Sequence, residues 1–393
     1  LGRHKSRNYR FAQTASTDNK LEKMKVLHIL DTVNRGGAEM QALDVCRNAS
    51  RFGIEMTVVT FGGGSLETDF RESGAEFIRL TRKLPVDIYL ASQVRKIIHE
   101  RGIQIAHGYQ AVDGLHLYLA TRGLRHVKKV LSFQGFIADR RNRIVSRFLI
   151  PRMDANIVVS RGLQKWLAKT DKLDTKTNFT VLYNGADPER LKPTGKSLRA
   201  ELGLLGNTKL LGMIAGFYRD PRKDQLTICK ALPAVFERFP DAQCIFAGGI
   251  EDGAEGKFAD CINFCIENGI ADRVHFLGSR SDIPDVLAAL DLFVFSSLQE
   301  GLPVAVSEAM LAGVPMIVSD IEPLLEATNE GTLAEIFPVG AAAVLSDKVI
   351  GLLASEEDRR RLAVEAKAFA QDNFSIDSHL RSLSGLYQQL LKK

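Results

Sequence analysis

The sequence is poor in cysteine. Its 393 residues include five cysteines, which are scattered, odd in number and without a Cys-x-x-Cys pair or histidines at ligand spacing. This pattern argues against a disulfide framework or a zinc site and favours a reduced, cytosolic chain. Cys261 and Cys265 lie four residues apart, on one face of a predicted helix, where buried packing is favoured over a metal or redox site.

Segments that would carry the chain into or across a membrane are also missing from the sequence. No apolar run reaches the length that spans a bilayer. The first residues are polar and basic and lack the apolar middle of a signal peptide, so we interpret residues 1–23 as a disordered or non-native extension. The sequence therefore predicts a cytoplasmic protein whose folded part begins near Met24.

The composition is that of an ordinary globular chain. Charged residues make up 25% and hydrophobic residues 45%, which excludes a disordered or membrane-embedded protein. The length favours two domains. A formal net charge of +5 is equally compatible with a phosphate-bearing small molecule, an anionic membrane surface or nucleic acid.

Short apolar runs alternate with helical stretches along the chain, in two series. The near-continuous apolar character of the runs predicts parallel strands that are covered on both faces. A segment rich in Gly, Pro and charge, near residues 185–208, separates the series. We therefore expect an α/β fold with two doubly wound, Rossmann-like domains facing each other across a cleft, at residues 24–190 and 191–375. Two amphipathic helical stretches, 347–374 and 375–393, close the chain.

Two loops that follow predicted strands carry features of phosphate sites. Gly36 and Gly37 precede a helix predicted to begin near Ala38, and such a loop either holds a phosphate or is a plain tight turn. In "AGFYRDPRKDQ", Arg219 and Lys223 precede a helix and could neutralise a diphosphate. A solvated basic loop is the alternative.

Two carboxylates flank the beginning of another helix, in "SSLQEGLPVAVSEAM". Glu300 ends a loop after a predicted buried strand, Pro303 fits the first turn of the helix, and Glu308 lies inside the helix, which stops at Gly313. A glycosidase needs such a pair because its leaving group is poor. A nucleotide diphosphate departs readily, so here the carboxylates are better suited to accept hydrogen bonds from hydroxyls. Either Glu taken singly could instead serve the helix dipole.

Several segments in this order closely resemble family 4 of the nucleotide-sugar glycosyltransferases, also called glycosyl transferases group 1, which have the GT-B fold. They are "NRGGAE", "VLYNGADPERLKP", "RDPRKDQ" and the long block from "HFLGSRSDIPD" to "SEAMLAGVPMIVSDI". The resemblance covers about residues 24–390, and its most specific element is the Glu-x7-Glu block. It implies that the last helix, 376–393, crosses back onto the first domain.

The resemblance also implies roles for single residues. Glu300 resembles the residue that holds hydroxyls of the donor sugar, Glu308 the residue that binds the ribose, and Arg219 and Lys223 the pair that binds the diphosphate. The remaining donor-binding positions that it implies are Gly36, Gly37, Arg280, Gly301, Leu302, Pro303 and Val304. We therefore expect turnover to fall strongly in Arg219→Ala and in Glu308→Ala.

One position departs from the family pattern. Family members commonly have a histidine after the strand "VLSFQGF", where this chain has Gln134, an amide that hydrogen-bonds but does not titrate. His107 follows the preceding strand, and we expect it to contribute on the acceptor side with Gln134. The sequence contains no Asp-x-Asp, so a metal-independent enzyme without cofactor is expected.

The reaction implied by the resemblance is transfer of a hexose-type sugar, with retention, from a UDP- or GDP-linked donor to a saccharide or lipid-linked acceptor in polysaccharide or glycoconjugate synthesis. Nucleic acid is not an expected partner. The stretch 127–152 interleaves arginines with apolar residues, as in a helix on the inner face of an anionic membrane; a solvated basic face is the alternative. Two other functions remain open, namely another GT-B enzyme such as a nucleotide-sugar epimerase and a non-catalytic nucleotide-sugar-binding protein.

Overall fold

Two parallel sheets form the framework of the computed structural model, which describes residues 23–137 and 139–393. The first sheet has seven strands in the order β3-β2-β1-β4-β5-β6-β7, and the second has six in the order β10-β9-β8-β11-β12-β13. In both sheets the strand order reverses beside the first strand, which is the doubly wound arrangement expected from the sequence. The predicted extension at residues 1–23 lies outside the described residues, except for Lys23.

The elements of the first half alternate strictly between strand and helix. Its strands β1 to β7 are Met24–Leu30, Ile54–Thr60, Glu76–Arg79, Ile105–Tyr109, Lys128–Phe133, Ala155–Val158 and Phe179–Val181. Its helices α1 to α6 are Gly37–Asn48, Glu67–Arg71, Ile88–Arg101, Gln110–Thr121, Arg140–Leu149 and Arg161–Lys169. All strand pairs are parallel, so the carboxyl ends of the strands meet at one edge of the sheet.

The second half repeats this pattern and ends in three helices. Its strands β8 to β13 are Leu210–Ile214, Gln243–Ala247, Val274–Gly278, Leu292–Phe295, Met316–Ser319 and Glu335–Phe337. Its helices α7 to α15 are Leu198–Glu201, Gln225–Arg238, Glu255–Glu267, Ile283–Ala289, Val304–Ala312, Glu322–Ala327, Ala342–Ala354, Glu356–Asn373 and Ile376–Leu391. These strands also pair in parallel.

Central strands are buried on both faces, which is why their sequences show no alternation. Every residue of β4, β11 and β12 is buried. Cys261 and Cys265 are likewise buried on α9, which agrees with the expected packing role. Within the described residues, no helix has the length and apolar character needed to cross a membrane.

Two details of the sequence prediction were wrong. The series of apolar runs that predicts the second sheet does not include the edge strand β13, because three residues are too few to show a periodicity. The predicted helical stretch 347–374 is two helices, because Ser355 adopts an extended backbone and its side chain accepts a hydrogen bond from the Asp358 N–H, which starts α14.

The last helix returns to the first sheet, as the resemblance implied. Backbone hydrogen bonds hold the crossing at Ala186, whose N–H donates to Phe374 O at 2.9 Å and whose carbonyl accepts from Ile376 N–H at 2.8 Å. Helix α15 then packs on α1 and buries Tyr387, whose hydroxyl lies 3.0 Å from His28 Nε2 and 2.6 Å from His107 Nδ1. The chain therefore crosses between the two halves twice, and this closes the predicted two-domain α/β fold.

Candidate active site

A cavity of about 480 Å³ lies between the two sheets, at the carboxyl ends of their strands. In open α/β sheets, ligands bind where the strand order reverses. The loops after β1 and β4 border that point in the first sheet, and the loops after β8 and β11 border it in the second; all four contribute to the lining. The predicted site residues in the lining are Gly36, Gly37, Gln134, Lys223, Glu300, Gly301, Leu302, Pro303, Val304 and Glu308.

The wall on the second sheet is the loop and helix that the sequence singled out. Pro303 has an extended backbone and is the N-cap of α11, and Pro303, Val304 and Ala305 line the cavity, so the unpaired N–H groups of the first turn lie at its wall. Gly313 ends the helix with a left-handed φ of 77°, a conformation that glycine adopts without strain. The helix N-terminus therefore offers a partial positive charge beside the carboxylates.

Lys223 and Glu300 form a buried ion pair on this wall. The Lys223 Nζ contacts Glu300 Oε1, and both side chains are about nine-tenths buried, with exposures of 10% and 9%. The Lys223 ammonium also lies 4.3 Å from the centre of the Phe295 ring, and the Ser297 hydroxyl donates to Glu300 Oε1 at 2.7 Å. Burial lowers the pKa of Lys223, while the Glu300 carboxylate opposes that effect. The pair thus holds a cation and an acceptor side by side in fixed positions.

Glu308 is paired with an arginine that comes from the connection between the sheets. Arg190 Nη2 donates to Glu308 Oε1 at 2.7 Å and also to Asp44 of α1 at 2.8 Å. Burial of the Glu308 carboxyl raises its pKa above the ordinary value, and the Arg190 charge opposes that rise. The bridge therefore joins helices of both halves behind the cavity.

Glycines allow the two walls to approach each other closely. A Cβ atom on Gly301 would lie 2.5 Å from the carbonyl oxygen of Gln134 in the opposite half, and one on Gly37 would lie 3.4 Å from Val304. The Ser160 hydroxyl, also from the first half, donates to the Gly301 carbonyl at 2.6 Å. Backbone thus meets backbone across the cleft at Gly301, which a larger residue would prevent.

Three predicted site residues do not line the cavity. The His107 ring is buried in the first sheet between Tyr387 and Ser132, at 2.6 Å from each hydroxyl, so it packs against α15 and lies outside the cavity lining. Arg219 is exposed, with its backbone N–H bound to Glu251 and its side chain over Gly253. Arg280 is held by two carboxylates, Glu201 and Asp282.

Several lining residues were missed as candidates in the sequence. Arg222 lines the cavity where Arg219 was expected; it pairs with Asp220 and lies 5.0 Å from the centre of the Tyr218 ring. In the sequence, Arg222 lies among other basic residues, and nothing in that pattern indicates which of these side chains faces the cavity. Gln110, the first residue of α4 directly after β4, also lines the cavity and has a left-handed φ of 67°, a strained backbone conformation of the kind that clusters at functional sites.

The cavity-lining amide Gln134 is held by a second amide. Asn184 Nδ2 donates to Gln134 Oε1 at 2.9 Å, so the Gln134 amide nitrogen is the part that can still donate to a ligand. Within residues 23–137 and 139–393, no group of three or more His, Cys, Asp or Glu is arranged to hold a metal ion.

Two family models match the chain side by side. The model described as Glycosyltransferase Family 4 matches residues 35–190, and the model described as Glycosyl transferases group 1 matches residues 196–369. The chain belongs to the group 1, family 4 glycosyltransferases. The two matches of this glycosyltransferase together include the loops on both walls of the cavity.

Curated relatives of the glycosyltransferase include a mannosyltransferase and a galactosyltransferase. It is 29% identical over 297 residues to the lipopolysaccharide core biosynthesis mannosyltransferase LpsB of Rhizobium meliloti (strain 1021), covering 74% of this chain and 81% of the relative. It is 30% identical over 222 residues to the UDP-Gal:alpha-D-GlcNAc-diphosphoundecaprenol alpha-1,3-galactosyltransferase of Escherichia coli, covering 53% of this chain and 54% of that one.

Solved structures show the same fold. Anabaena Alr3699/HepE in complex with UDP and glucose superposes with a TM-score of 0.82 at 21% identity, over 93% of this chain and 100% of that one. A glycosyltransferase from Rickettsia africae also superposes with a TM-score of 0.82, at 17% identity, over 94% and 99% of the two chains. The glycosyltransferase therefore has the α/β GT-B fold.

Proposed function

We propose that this glycosyltransferase moves a hexose-type sugar, with retention, from a UDP- or GDP-linked donor to a saccharide or lipid-linked acceptor in polysaccharide or glycoconjugate synthesis. The observation that carries the proposal is the meeting of Lys223, Glu300 and Glu308 with the N-terminus of α11 in one cavity. Such a set offers a cation, two acceptors and backbone N–H groups to one elongated ligand.

Stabilisation of the leaving diphosphate is the first requirement of this reaction. Negative charge grows on the diphosphate in the transition state, and Lys223, Arg222 and the N–H groups of α11 lie where they can receive it. Because these groups are fixed before the substrate binds, they need no reorganisation during reaction. Because these cations and N–H groups stabilise the negative charge of the diphosphate, a bridging metal ion is not needed. The proposal therefore includes metal independence.

The carboxylates hold the two ends of the donor. Glu300, anchored by Ser297 and Lys223, accepts from hydroxyls of the sugar, and Glu308, deeper in the helix, accepts from the ribose. Retention follows from attack on the face that the diphosphate leaves: the new glycosidic bond forms as the sugar–phosphate bond breaks, and the leaving phosphate oxygen takes the proton of the acceptor hydroxyl.

The relatives support both kinds of acceptor. The mannosyltransferase LpsB is named for lipopolysaccharide core synthesis, and the Escherichia coli galactosyltransferase is named for a diphosphoundecaprenol acceptor. The Anabaena protein of the same fold was crystallised with UDP and glucose. We carry these substrate classes over as part of the proposal.

A screen of nucleotide sugars tests the proposal. Calorimetry with UDP and GDP identifies the nucleotide, and hydrolysis or transfer is then followed with and without EDTA, with the anomeric configuration of the product read by NMR. We expect binding of one nucleotide, turnover unaffected by EDTA and a retained configuration. Inversion, or loss of turnover in EDTA, would contradict those parts of the proposal, and donor consumption without hydrolysis or transfer would favour an epimerase.

Matched variants assign the carboxylates. Glu300→Gln and Glu308→Gln keep the side-chain size but remove the charged acceptor, so we expect turnover to fall by about a hundredfold or more in each. Glu365→Gln changes an exposed carboxylate on α14 and serves as the control. Equal turnover in all three variants would remove the assignment.

A further inference from the structure

Large apolar side chains are exposed together at the beginning of α3. Ile88 and Tyr89 are 75% and 71% exposed, and Leu84 and Val86, just before them, are also more than half exposed. Single exposed apolar residues are ordinary on protein surfaces, whereas a contiguous group of them marks an interaction site.

Helix α5 extends this exposed surface. Arg140, Ile144 and Phe148 recur at spacings of four and therefore lie along one face of the helix, and all three are exposed. The Phe148 ring is held edge-on against Tyr118, and the Arg152 guanidinium lies 3.9 Å from its centre, so the ring is fixed in its exposed position.

The two segments meet around one groove. A groove of about 590 Å³ is lined by Pro85 and Val86 before α3, Val112 and Leu115 of α4, and Val145 of α5. Arg140 and Arg141 also line it. We call the exposed residues Leu84, Val86, Ile88, Tyr89, Ile144 and Phe148, with this groove, the apolar surface.

The arginines of α5 divide into structural and available ones. Arg143 pairs with the buried Asp171 at 2.9 Å, and Arg147 donates to the Asp171 carbonyl, so both fix the helix to the domain. Arg140 and Arg141 are exposed and form no ion pair within the described part of the chain. The nearby Asp139 carboxylate accepts from Asn142 N–H at 2.8 Å and caps the helix. Two cations therefore border the apolar surface.

The apolar surface adjoins the active-site cavity. Gln110 lines the cavity and the next residue, Ala111, lines the groove. The connection between β5 and α5 does the same, since Phe136 lines the cavity and Asp139 lines the groove. The groove and the first domain's wall of the cavity are therefore lined by residues that are one to three positions apart in the chain, so a molecule bound at the apolar surface lies next to the cavity.

We propose that the apolar surface docks onto an anionic phospholipid bilayer. Ile88, Tyr89, Ile144 and Phe148 enter the headgroup region, and Arg140 and Arg141 contact lipid phosphates. Aliphatic and aromatic side chains suit the boundary of the acyl chains, and the arginines beside them suit the phosphate headgroups. The free energies of apolar burial and of attraction to anionic lipid both favour binding. The docking itself does not depend on the proposed function. Its role does, since it would hold the cleft beside a lipid-linked acceptor.

Vesicle co-sedimentation of the full chain tests the docking directly. Vesicles of phosphatidylcholine alone are compared with vesicles that also contain phosphatidylglycerol, at low and high salt. We expect binding to the anionic vesicles that weakens with salt. Arg140→Gln with Arg141→Gln should lower the partition coefficient about thirtyfold, because each basic side chain near an anionic surface contributes about a factor of five. Ile88→Asp with Ile144→Asp should also weaken it.

Helix α14 supplies the matched control. Arg360 and Arg361 are exposed there beside Val364, which is 64% exposed, but acidic neighbours surround them, so Arg360→Gln with Arg361→Gln and Val364→Asp should leave vesicle binding unchanged. Thermal unfolding shows whether each variant is folded. The proposal is overturned if wild type does not bind anionic vesicles at low salt, or if both sets of variants bind alike.

The two proposals fail separately. Nucleotide binding by calorimetry, measured without vesicles, reports on the active site alone, and the Arg140 and Arg141 variants should bind nucleotide as wild type does. Vesicle binding without nucleotide binding would contradict the proposed function and leave the docking intact. Nucleotide binding without vesicle binding would contradict the docking and leave the proposed function intact. If a partner protein and not the vesicles retains the protein, the occupant of the apolar surface is that partner and not a bilayer.

Discussion

The guanidinium of Arg190 lies 2.7 Å from the carboxylate of Glu308 and ties the wall of the cavity on the second sheet to the connection between the two sheets. The same guanidinium binds Asp44 through Nε and Nη2, so one cation serves a buried carboxylate from each half. Breaking a buried ion pair by removing one partner costs about 3–5 kcal/mol, because the other charge is left uncompensated. Arg190 therefore supports both the fold and the charge state of Glu308.

Arg190→Gln should weaken nucleotide binding, and more strongly at mildly acidic pH. Burial raises the pKa of Glu308 and Arg190 opposes the rise, so the pKa goes higher still when Arg190 is lost. The proposed ribose acceptor is the ionised carboxylate. As pH falls, affinity should therefore be lost at a higher pH in the variant than in wild type.

Calorimetry over a pH series from neutral to mildly acidic measures this shift. Arg361→Gln is the control, since Arg361 is an exposed arginine with carboxylate partners on α14. Parallel pH profiles for Arg190→Gln and wild type would show that Arg190 does not set the protonation of Glu308.

Arg222→Ala should reduce nucleotide affinity more than Arg219→Ala does. Arg222 lines the cavity, whereas Arg219 lies outside the lining with its backbone bound to Glu251, and this reverses the expectation drawn from the sequence. Loss of one cation facing a diphosphate should cost roughly tenfold to a hundredfold in affinity. Titration of both variants with the preferred nucleotide diphosphate decides, and a larger effect of Arg219→Ala would favour the original assignment.

Gly301→Ala should impair turnover by forcing the two halves apart. The added Cβ would stand 2.5 Å from the carbonyl oxygen of Gln134, and backbone cannot yield as a flexible side chain can. Gly351→Ala, in helix α13 with nothing within 4 Å of the added Cβ, is the control and should be neutral or stabilising by up to about 1 kcal/mol. Small-angle scattering and turnover report on the two expected effects, and a fully active Gly301→Ala would show that close approach is not needed.

Buried histidines should make the protein sensitive to mild acid. Burial lowers the pKa of His28 to about 3 and that of His379 to about 4, and it also lowers the pKa of His107. Below the ordinary histidine pKa of 6.5, these side chains become protonated in the unfolded chain but stay neutral in the folded chain. Each such group then removes up to about 1.4 kcal/mol of stability per pH unit as pH falls toward the folded-state pKa.

Buried carboxyl groups with raised pKa values, which include Glu39, Asp113 and Glu308, have the opposite effect, because they make the protein more stable as pH falls. Substitution of a single buried histidine separates the two effects. In His379→Gln, the amide can still donate to the Tyr183 carbonyl, which lies 2.7 Å from His379 Nδ1. Urea unfolding at neutral and mildly acidic pH should show a smaller acid loss for this variant than for wild type. The exposed His126→Gln should behave as wild type, and an equal acid loss in all three would contradict the assignment.

Local sequence predicted the elements that depend on local patterns. Near-continuous apolar runs predicted the central strands, because burial on both faces leaves no alternation. Pro303 and Gly313 predicted the bounds of α11, since each restricts or permits one backbone conformation. The pairing of Arg190 with Glu308, 118 positions apart, has no such local signal.

By itself, the sequence determined two doubly wound halves and the two carboxylates around the start of α11. Only the tertiary structure decided which cations turn toward the cavity and that His107 belongs to the packing of the last helix. The reason is physical: strand and helix follow from the periodicity and dihedral preferences of neighbouring residues. The direction of a loop side chain follows from contacts with distant ones, as when Glu251 fixes the backbone at Arg219 and leaves Arg222 to face the cleft.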